Sequence, residues 1–379
     1  MTADGALQTR ERAINDILIY GDSRSSALRH EVPLPLPDPI IYAERNGTRF
    51  IFAGALDIPR MGALGGFEVI SLESLGLDDL LGGGASLPEA MRELVLRACR
   101  HIGTESASTP GDFPLEVADH VRADGLTLRA DGALFDLRRR VKSAHELAGI
   151  RRAQAAADAA MAAAREHLRS ATAPTSEEVR ALVRRIFVEH GTLPHDMVVI
   201  ASAAQGADPH DEGSGPIAPG VPIVIDIFPR DIASGAWGDL TRTLCIGEPP
   251  AELVRWHADV FAAQQKALHA VAPGKTGGEL NRIAMEHLAA QGHATRMDHE
   301  GSTPLADGFI HYLGHGLGLE LHEAPTLDDG GETLLVGDVV TIEPGLYRPG
   351  FGGCRIEDVA LVTEDGYELL SHASYELAP

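Results

Sequence analysis

Three histidines, His311, His315 and His322, fall within the stretch HYLGHGLGLELHE, separated by glycines and leucines. Four acidic residues stand elsewhere in apolar contexts that suit buried β-strands. Asp226 interrupts VPIVIDIF, Asp239 opens DLTRT, Glu343 interrupts VVTIEPGLY, and Glu357 lies in CRIEDVALV. An ionised carboxylate in such a setting costs several kcal/mol unless it is paired or bound to a metal. Arg242 and Arg355 are too few to neutralise all four. The chemistry this points to is a metal centre built from Asp226, Asp239, Glu343, Glu357 and one histidine of the quoted stretch. Oxygen and imidazole donors without sulfur suit manganese, cobalt, zinc or ferrous iron. Four carboxylates can hold two such ions about 3.5–4 Å apart, an arrangement for hydrolysing an amide or a phosphate.

Each residue also has a plain structural reading. His322 could pair with Glu320 or Glu323, and His210, in GADPHDEGS, could be an ordinary loop residue. His311 and His315 would share a face if they lay on a helix. Gly314, Gly316 and Gly318 argue instead for an irregular or close-packed backbone. His257, His287, His293 and His299 have no matching carboxylates and read as surface residues.

The elements that must position these groups can be read from pattern and punctuation. INDILIYG and RFIFAGA read as short buried strands closed by glycine. EVPLPLPDPIIYAE between them has four prolines and reads as an extended connection without a central strand or helix. SLPEAMRELVLRACRHIG reads as a helix with a serine start and a glycine stop. Near residue 140 the texture turns to alanine, arginine and glutamate, and Ser143 with Glu146 forms a capping box. Thr175 and Glu178 repeat it before a second helix. Thereafter strands (VPIVIDIF, LTRTLCIG, DVVTIEPGLY, RIEDVALVTEDG) alternate with helices (AELVRWHADVFAAQQKALHAV, GGELNRIAMEHLAAQG). Each half of this region has a helix pair followed by strands that end in acidic residues.

Composition sets the outer limits. A formal net charge of −23 over 379 residues disfavours nucleic acid and anionic membrane surfaces as partners. Cys99, Cys245 and Cys354 are few and scattered, so neither a disulfide framework nor a thiolate cluster is expected. The opening MTADGALQTRERA is unlike a signal peptide, and no apolar run approaches a membrane span. A cytoplasmic location is the expectation.

Taken in order, IVIDI…GDLTRT, HYLGHGLGLELHE, TIEPGLY and RIEDVALVTEDG resemble the creatinase/prolidase/aminopeptidase P family of pita-bread metallopeptidases. The resemblance runs over roughly residues 140 to 370, and RRRVKSAHELAGIRRAQAAADAAM resembles the helix that opens the family's catalytic domain. It implies an α+β chain, with a smaller amino-terminal α/β domain at 1–140 and a pita-bread catalytic domain at 141–379. Carried over by position, it makes Asp226 a ligand of one metal and Asp239 and Glu357 bridges between two. His315 and Glu343 would hold the second metal. The same carry-over makes His210, His311 and His322 substrate-side residues, with Arg355 backing the ligand carboxylates. Glu343, His322 and His210 would carry the catalytic proton and hydrogen-bond work. Two divalent ions, manganese first, and a homodimer are implied with it.

The implied reaction is hydrolysis of an Xaa-Pro amide bond, by a dipeptidase (prolidase) or by an aminopeptidase P acting on longer peptides. The compact length leans toward the former. A dipeptidase needs a cationic group for the free carboxylate of proline, and Arg24, Arg29 and Arg45 are sequence candidates. A creatinase-like amidinohydrolase or a non-catalytic member would be expected to lose ligands, and phosphate chemistry would call for more basic residues near the motifs. One departure stands out: Asp226 and Asp239 are 239 − 226 = 13 positions apart, two more than is usual in the family. The connection IFPRDIASGAWG puts Phe228 and Pro229 where a tighter turn is expected, which could reshape the pocket lip. Asp231 within it is an alternative ligand, without the TRT that follows Asp239.

Overall fold

The computed structural model describes residues 16–296 and 305–379, so the opening segment and His299 lie outside the described residues. The chain divides between Phe135 and Asp136 into two compact units.

The first unit is a six-stranded sheet formed by β1 (Ile17–Gly21), β2 (Ile40–Arg45), β3 (Thr48–Ala53), β4 (Glu68–Ser71), β5 (Ser106–Thr109) and β6 (Thr127–Ala130), in the spatial order β4-β3-β2-β1-β5-β6. Alternate side chains feed two cores. Leu18, Ile41 and Phe52 go to one face, and Ile19, Tyr42 and Ile51 to the other. A sheet covered on both faces explains the nearly unbroken apolar runs. The turn between β2 and β3 is Asn46-Gly47 with both φ values positive, the backbone of a tight hairpin. The expectation that residues 31–44 hold no central strand is corrected, because β2 lies between β1 and β3. Its four prolines all precede Ile40, so none removes a donor from the ladder. Helix Leu87–Ile102 starts at the Ser86/Glu89 capping box and stops at Gly103, whose φ of 72° is left-handed.

The second unit carries the site. Helices Ala144–Ser170 and Ser176–Glu189, each opened by its expected capping box, cover a three-stranded sheet. Its strands are β8 (Val199–Ser202), β9 (Ile223–Ile227) and β11 (Leu240–Leu244), in the order β11-β9-β8. The alanine-rich face of the first helix packs Ala156, Ala160 and Ala164 against Ile223, Ile225 and Leu240. Helices Ala251–His269 and Gly277–Ala290 do the same for a second sheet. That sheet holds β12 (Gly314–Gly316), β13 (Glu323–Leu327), β14 (Val339–Ile342), β17 (Asp358–Thr363) and β18 (Gly366–Leu369), in the order β13-β12-β14-β17-β18. Two small ribbons complete the unit. One joins β7 (Thr192–Pro194) to β10 (Pro229–Asp231), the other β15 (Gly345–Arg348) to β16 (Gly352–Arg355). The loose symmetry read from the sequence is therefore physical: two helix pairs, each with its own apolar core, back two sheets.

His311 and His315 share no helix face, since β12 is an interior strand. The glycines around it are there for close approach. A Cβ at Gly314 would lie 2.3 Å from the Thr341 carbonyl oxygen, and one at Gly316 would lie 2.5 Å from that of Ala324. No helix among the described residues is long and apolar enough to cross a membrane.

Candidate metal centre

The two sheets of the second unit meet at the acidic residues. Asp226 lies within β9, its neighbours in the ladder being Val199 and Thr241. Asp239 immediately precedes β11. Glu343 and Glu357 lie just outside strands, after β14 and before β17, rather than within them. Their backbones remain tied: Glu343 N–H donates to the Leu313 carbonyl at 2.8 Å, and Glu357 N–H to that of Thr241 at 3.1 Å. A strand end frees the side chain to turn off the sheet while its main chain stays registered.

His315 completes the group. A carbonyl only accepts, so the contact between His315 Nδ1 and the Gly316 oxygen, 3.1 Å, places the ring proton on Nδ1. Nε2 is left with a lone pair, 3.4 Å from Glu343 Oε1 and 3.8 Å from Asp239 Oδ2. One donor atom from each of Asp239, His315 and Glu357 lies within 4.8 Å of the other two. Burial, then His322, pushes the His315 imidazole down to about 3, so the ring is neutral as a ligand must be.

The carboxylates are electrostatically overloaded. Burial holds Asp239 well above the ordinary carboxylate range, and the charges of Asp226 and Glu343 add to it. Glu357 is raised in the same way, by burial and then by Asp239, Glu343 and Asp226. Burial also pushes Glu343 up to about 8 despite Arg355. Asp226 Oδ2 accepts from Arg355 at 2.6 Å, whereas its Oδ1 is buried without a hydrogen-bond partner among the described residues. An unbonded buried oxygen beside crowded carboxylates and an imidazole lone pair fits divalent cations.

Arg355 has each guanidinium nitrogen engaged around this floor. Besides Asp226, it donates through Nε to Thr241 Oγ1 at 3.2 Å and through NH1 to Tyr347 O–H at 2.7 Å. Thr241 Oγ1 in turn donates to Glu357 Oε2 at 2.7 Å. The Tyr347 hydroxyl donates to His311 Nε2 at 2.9 Å, and His311 Nδ1–H donates to the Tyr312 carbonyl at 2.8 Å. His311 thus lines the cavity with both ring nitrogens already bonded inside the protein. Burial and the Arg355 charge push its imidazole down to about 3.

Above the floor opens a cavity of about 790 Å³, lined by all five expected ligand residues, by His210, His311, His322 and Arg355, and by Phe228. His210 and His322 are exposed to it. Its apolar surface comes from Met197, Pro209, Ile310 and Leu321. Two contributors to the site lacked any sequence signal: Tyr347, which bonds His311 and Arg355, and a fifth cavity histidine, His195. The pairing of His322 with Glu320 or Glu323 does not form. Glu323 is buried in an ion pair with Lys142, with Arg139 at 3.8 Å, and Arg139 also meets Glu320. Asp231 faces away from the centre: it takes both Nε and NH2 of Arg152, at 2.9 and 2.8 Å, and both donors of Ser234. Reading His293 as a surface residue is corrected, since its side chain is 12% exposed and bonded to Asp259 at 2.8 Å beside Trp256. In the first unit Arg24 pairs with Asp22, and Arg45 with Asp16 and the Ile102 carbonyl.

Two helix-backed sheets that bring acidic residues and one imidazole to a common floor define a candidate metal-dependent protein of the pita-bread architecture. Residues 148–364 match the profile of metallopeptidase family M24, and the chain belongs to this family, that of the creatinases, prolidases and aminopeptidases P. It is 36% identical over 252 residues to the Xaa-Pro dipeptidase of Pyrococcus furiosus, covering 66% of this chain and 68% of that one. It is 35% identical over 241 residues to the probable dipeptidase PepE of Mycobacterium tuberculosis, covering 63% and 60% respectively. The match thus spans about 60% of the length of the PepE relatives. Among solved structures, the prolidase of Pyrococcus horikoshii superposes with a TM-score of 0.78 at 26% identity, covering 96% of this chain and 95% of that one.

Proposed function

We propose that the protein is a two-metal peptidase that hydrolyses the amide bond between a first residue and proline, acting as an Xaa-Pro dipeptidase. The observation that carries this is the unbonded Asp226 Oδ1 beside three other carboxylates and the free Nε2 of His315. Asp226, Asp239, His315, Glu343 and Glu357 would hold two divalent ions, manganese being the first candidate. Bound there, the ions supply Lewis acidity toward the scissile carbonyl and make water acidic enough to be deprotonated near neutral pH.

The chain's own groups do the rest. Glu343 receives the proton of the attacking water on a carboxylate oxygen and passes it to the proline nitrogen as the bond breaks. His210 and His322 face the cavity and donate hydrogen bonds to the oxygen on which charge develops. Arg355 holds Asp226 and, through Thr241, Glu357 in place, so that the ligand oxygens need not reorganise. His311 is oriented by Tyr347 and presents its ring to the cavity instead of a spare nitrogen. An Xaa-Pro bond is a tertiary amide, so the site needs no acceptor for a leaving N–H, and Met197, Phe228 and Leu321 suit an apolar ring. The names of the Pyrococcus and mycobacterial relatives favour the dipeptidase reading over aminopeptidase P.

The purified protein should contain close to two equivalents of metal after manganese addition and should cleave Ala-Pro much faster than Ala-Pro-Ala. Preferential cleavage of the tripeptide would move the assignment to aminopeptidase P. Failure to bind metal would remove the proposal altogether.

A further inference from the structure

The longer connection between Asp226 and Asp239 does not form a loose lip. It folds into β10, which pairs with β7 so that Pro229 faces Pro194, and His195 is the next residue along. Two aromatics from the same connection clamp the His195 ring. Phe228 meets it with centroids 4.9 Å apart at 66°, and Trp237 at 5.6 Å and 57°. Trp237 is itself tied by its N–H to the Gly318 carbonyl at 2.8 Å and has Arg230 over its ring. His195 Nδ1 accepts from the Met197 N–H at 3.0 Å. A ring nitrogen that accepts carries no proton, so the imidazole proton sits on Nε2. The result is a half-buried donor, fixed in tautomer and orientation, in the wall of the cavity.

Few other cavity donors remain for a ligand. Each nitrogen of Arg355 already donates, to Thr241, Tyr347 or Asp226. His311 has both nitrogens bonded, and His315 has one nitrogen bonded and the other turned to the floor. The Tyr312 hydroxyl accepts from Arg296 and keeps its own proton to donate. His195, His210 and His322 remain beside it, and all three line this one cavity. The floor is taken up by the ions and the scissile carbonyl, so a substrate carboxylate must lie away from it, and this histidine wall is flanked by apolar Met197, Phe228 and Leu321.

We infer that His195 is a specificity-determining residue whose Nε2–H receives the free carboxylate of the dipeptide's C-terminal residue, while His210 and His322 on the same wall serve the scissile oxygen. The inference rests on the dipeptidase reading above and deepens it by assigning what reads the end of the substrate. It also gives the lengthened connection a purpose, since Phe228 and Trp237 are what hold His195.

The test compares acid with amide. Binding of L-proline and L-prolinamide to the manganese-loaded protein is measured by calorimetry, and kcat/KM is measured for Ala-Pro and Ala-Pro amide. A charge-assisted hydrogen bond predicts that the preference for acid over amide falls about tenfold in His195→Ala. His195→Gln, which keeps an N–H donor on a similar reach, should restore part of it, and for Ala-Pro the loss should appear in KM more than in kcat. A preference unchanged in His195→Ala, or losses equal for acid and amide, would overturn the inference, and so would a wild-type protein indifferent to the two. A protein that cleaves no Xaa-Pro bond yet prefers proline over prolinamide through His195 would remove the proposed function and leave the carboxylate site standing.

Discussion

Asp231→Asn tests whether the connection between Asp226 and Asp239 is anchored by a structural ion pair or contributes to the metal centre. The Asp231 carboxylate is 4% exposed and accepts four hydrogen bonds, two from the Arg152 fork and two from Ser234. Helix Ala144–Ser170 comes close enough here that a Cβ at Gly149 would sit 1.8 Å from Ser234 Oγ, so the anchor has no room to rearrange. Breaking a fully buried pair costs about 3–5 kcal/mol. The Arg152 side chain is 47% exposed and can be resolvated, which brings the expectation down to about 2–3 kcal/mol.

The pH dependence has a definite sign. Burial raises the Asp231 carboxyl, but the bonds from Arg152 and Ser234 outweigh it and hold the group below its ordinary range. A carboxyl lowered on folding contributes stability that is complete above its unfolded pKa, about 3.9, and that is lost as pH falls through the lower folded value. Urea unfolding should therefore separate wild type from Asp231→Asn by about 2–3 kcal/mol at pH 7, and the gap should close below pH 4. Both tryptophans, Trp237 and Trp256, lie in the second unit, so their fluorescence follows the unit that carries the anchor. Manganese stoichiometry should be unchanged. A variant as stable as wild type but short of metal would refute the anchoring argument and return Asp231 to the ligand set.

Thr241→Val removes the hydroxyl that accepts from Arg355 and donates to Glu357, and should weaken manganese affinity by roughly 10–100-fold in a metal titration; unchanged affinity would show that Glu357 needs no such support. Tyr347→Phe leaves Arg355 NH1 and His311 Nε2 one bond short in a buried setting. It should cost about 1–3 kcal/mol in unfolding experiments, with a lowered kcat on Ala-Pro. Gly314→Ala would drive a methyl into the Thr341 carbonyl, 2.3 Å away, and should destabilise by about 1–3 kcal/mol or more, read as a lower thermal midpoint. Removing metal by chelation should lower that midpoint too. Manganese returned at a hundred times its Kd should add about 2.7 kcal/mol for each site, and a midpoint indifferent to manganese would count against the floor as a metal site.

Much of this arrangement was legible because local chemistry and the final fold agree. Ser143 with Glu146 and Thr175 with Glu178 start the helices they signal, since a capping box satisfies helix donors without tertiary help. The buried carboxylates were conspicuous because an apolar strand tolerates no idle charge. What stayed hidden depends on contacts distant in sequence. His195 looks like any loop histidine until Phe228 and Trp237 close on it from more than thirty positions away. Tyr347 reads as a strand residue, and only the fold sets its hydroxyl between Arg355 and His311. The four prolines before Ile40 obscure β2 because they share its apolar run, although the last of them stands one residue before the strand begins. His293 is hidden for a related reason: its partner, Asp259, lies 34 positions back on helix Ala251–His269.

The position of the site on the seam between the two sheets has an energetic consequence. Asp226 and Asp239 belong to the first helix-backed half, and His315, Glu343 and Glu357 to the second. The halves are stitched at this point by Thr243 with the Arg355 main chain in both directions, at 2.9 and 3.0 Å, and by Glu357 N–H to Thr241. Like charges held across a seam push the halves apart. Arg355, reaching back from the second half to Asp226, offsets only one of them. Cations shared across the seam would turn that repulsion into a cross-link, so metal binding and the docking of the two halves should be strongly coupled. It follows that substitutions at Thr243, which touches no ligand side chain, should lower metal affinity along with stability, whereas Asp231→Asn should lower stability alone.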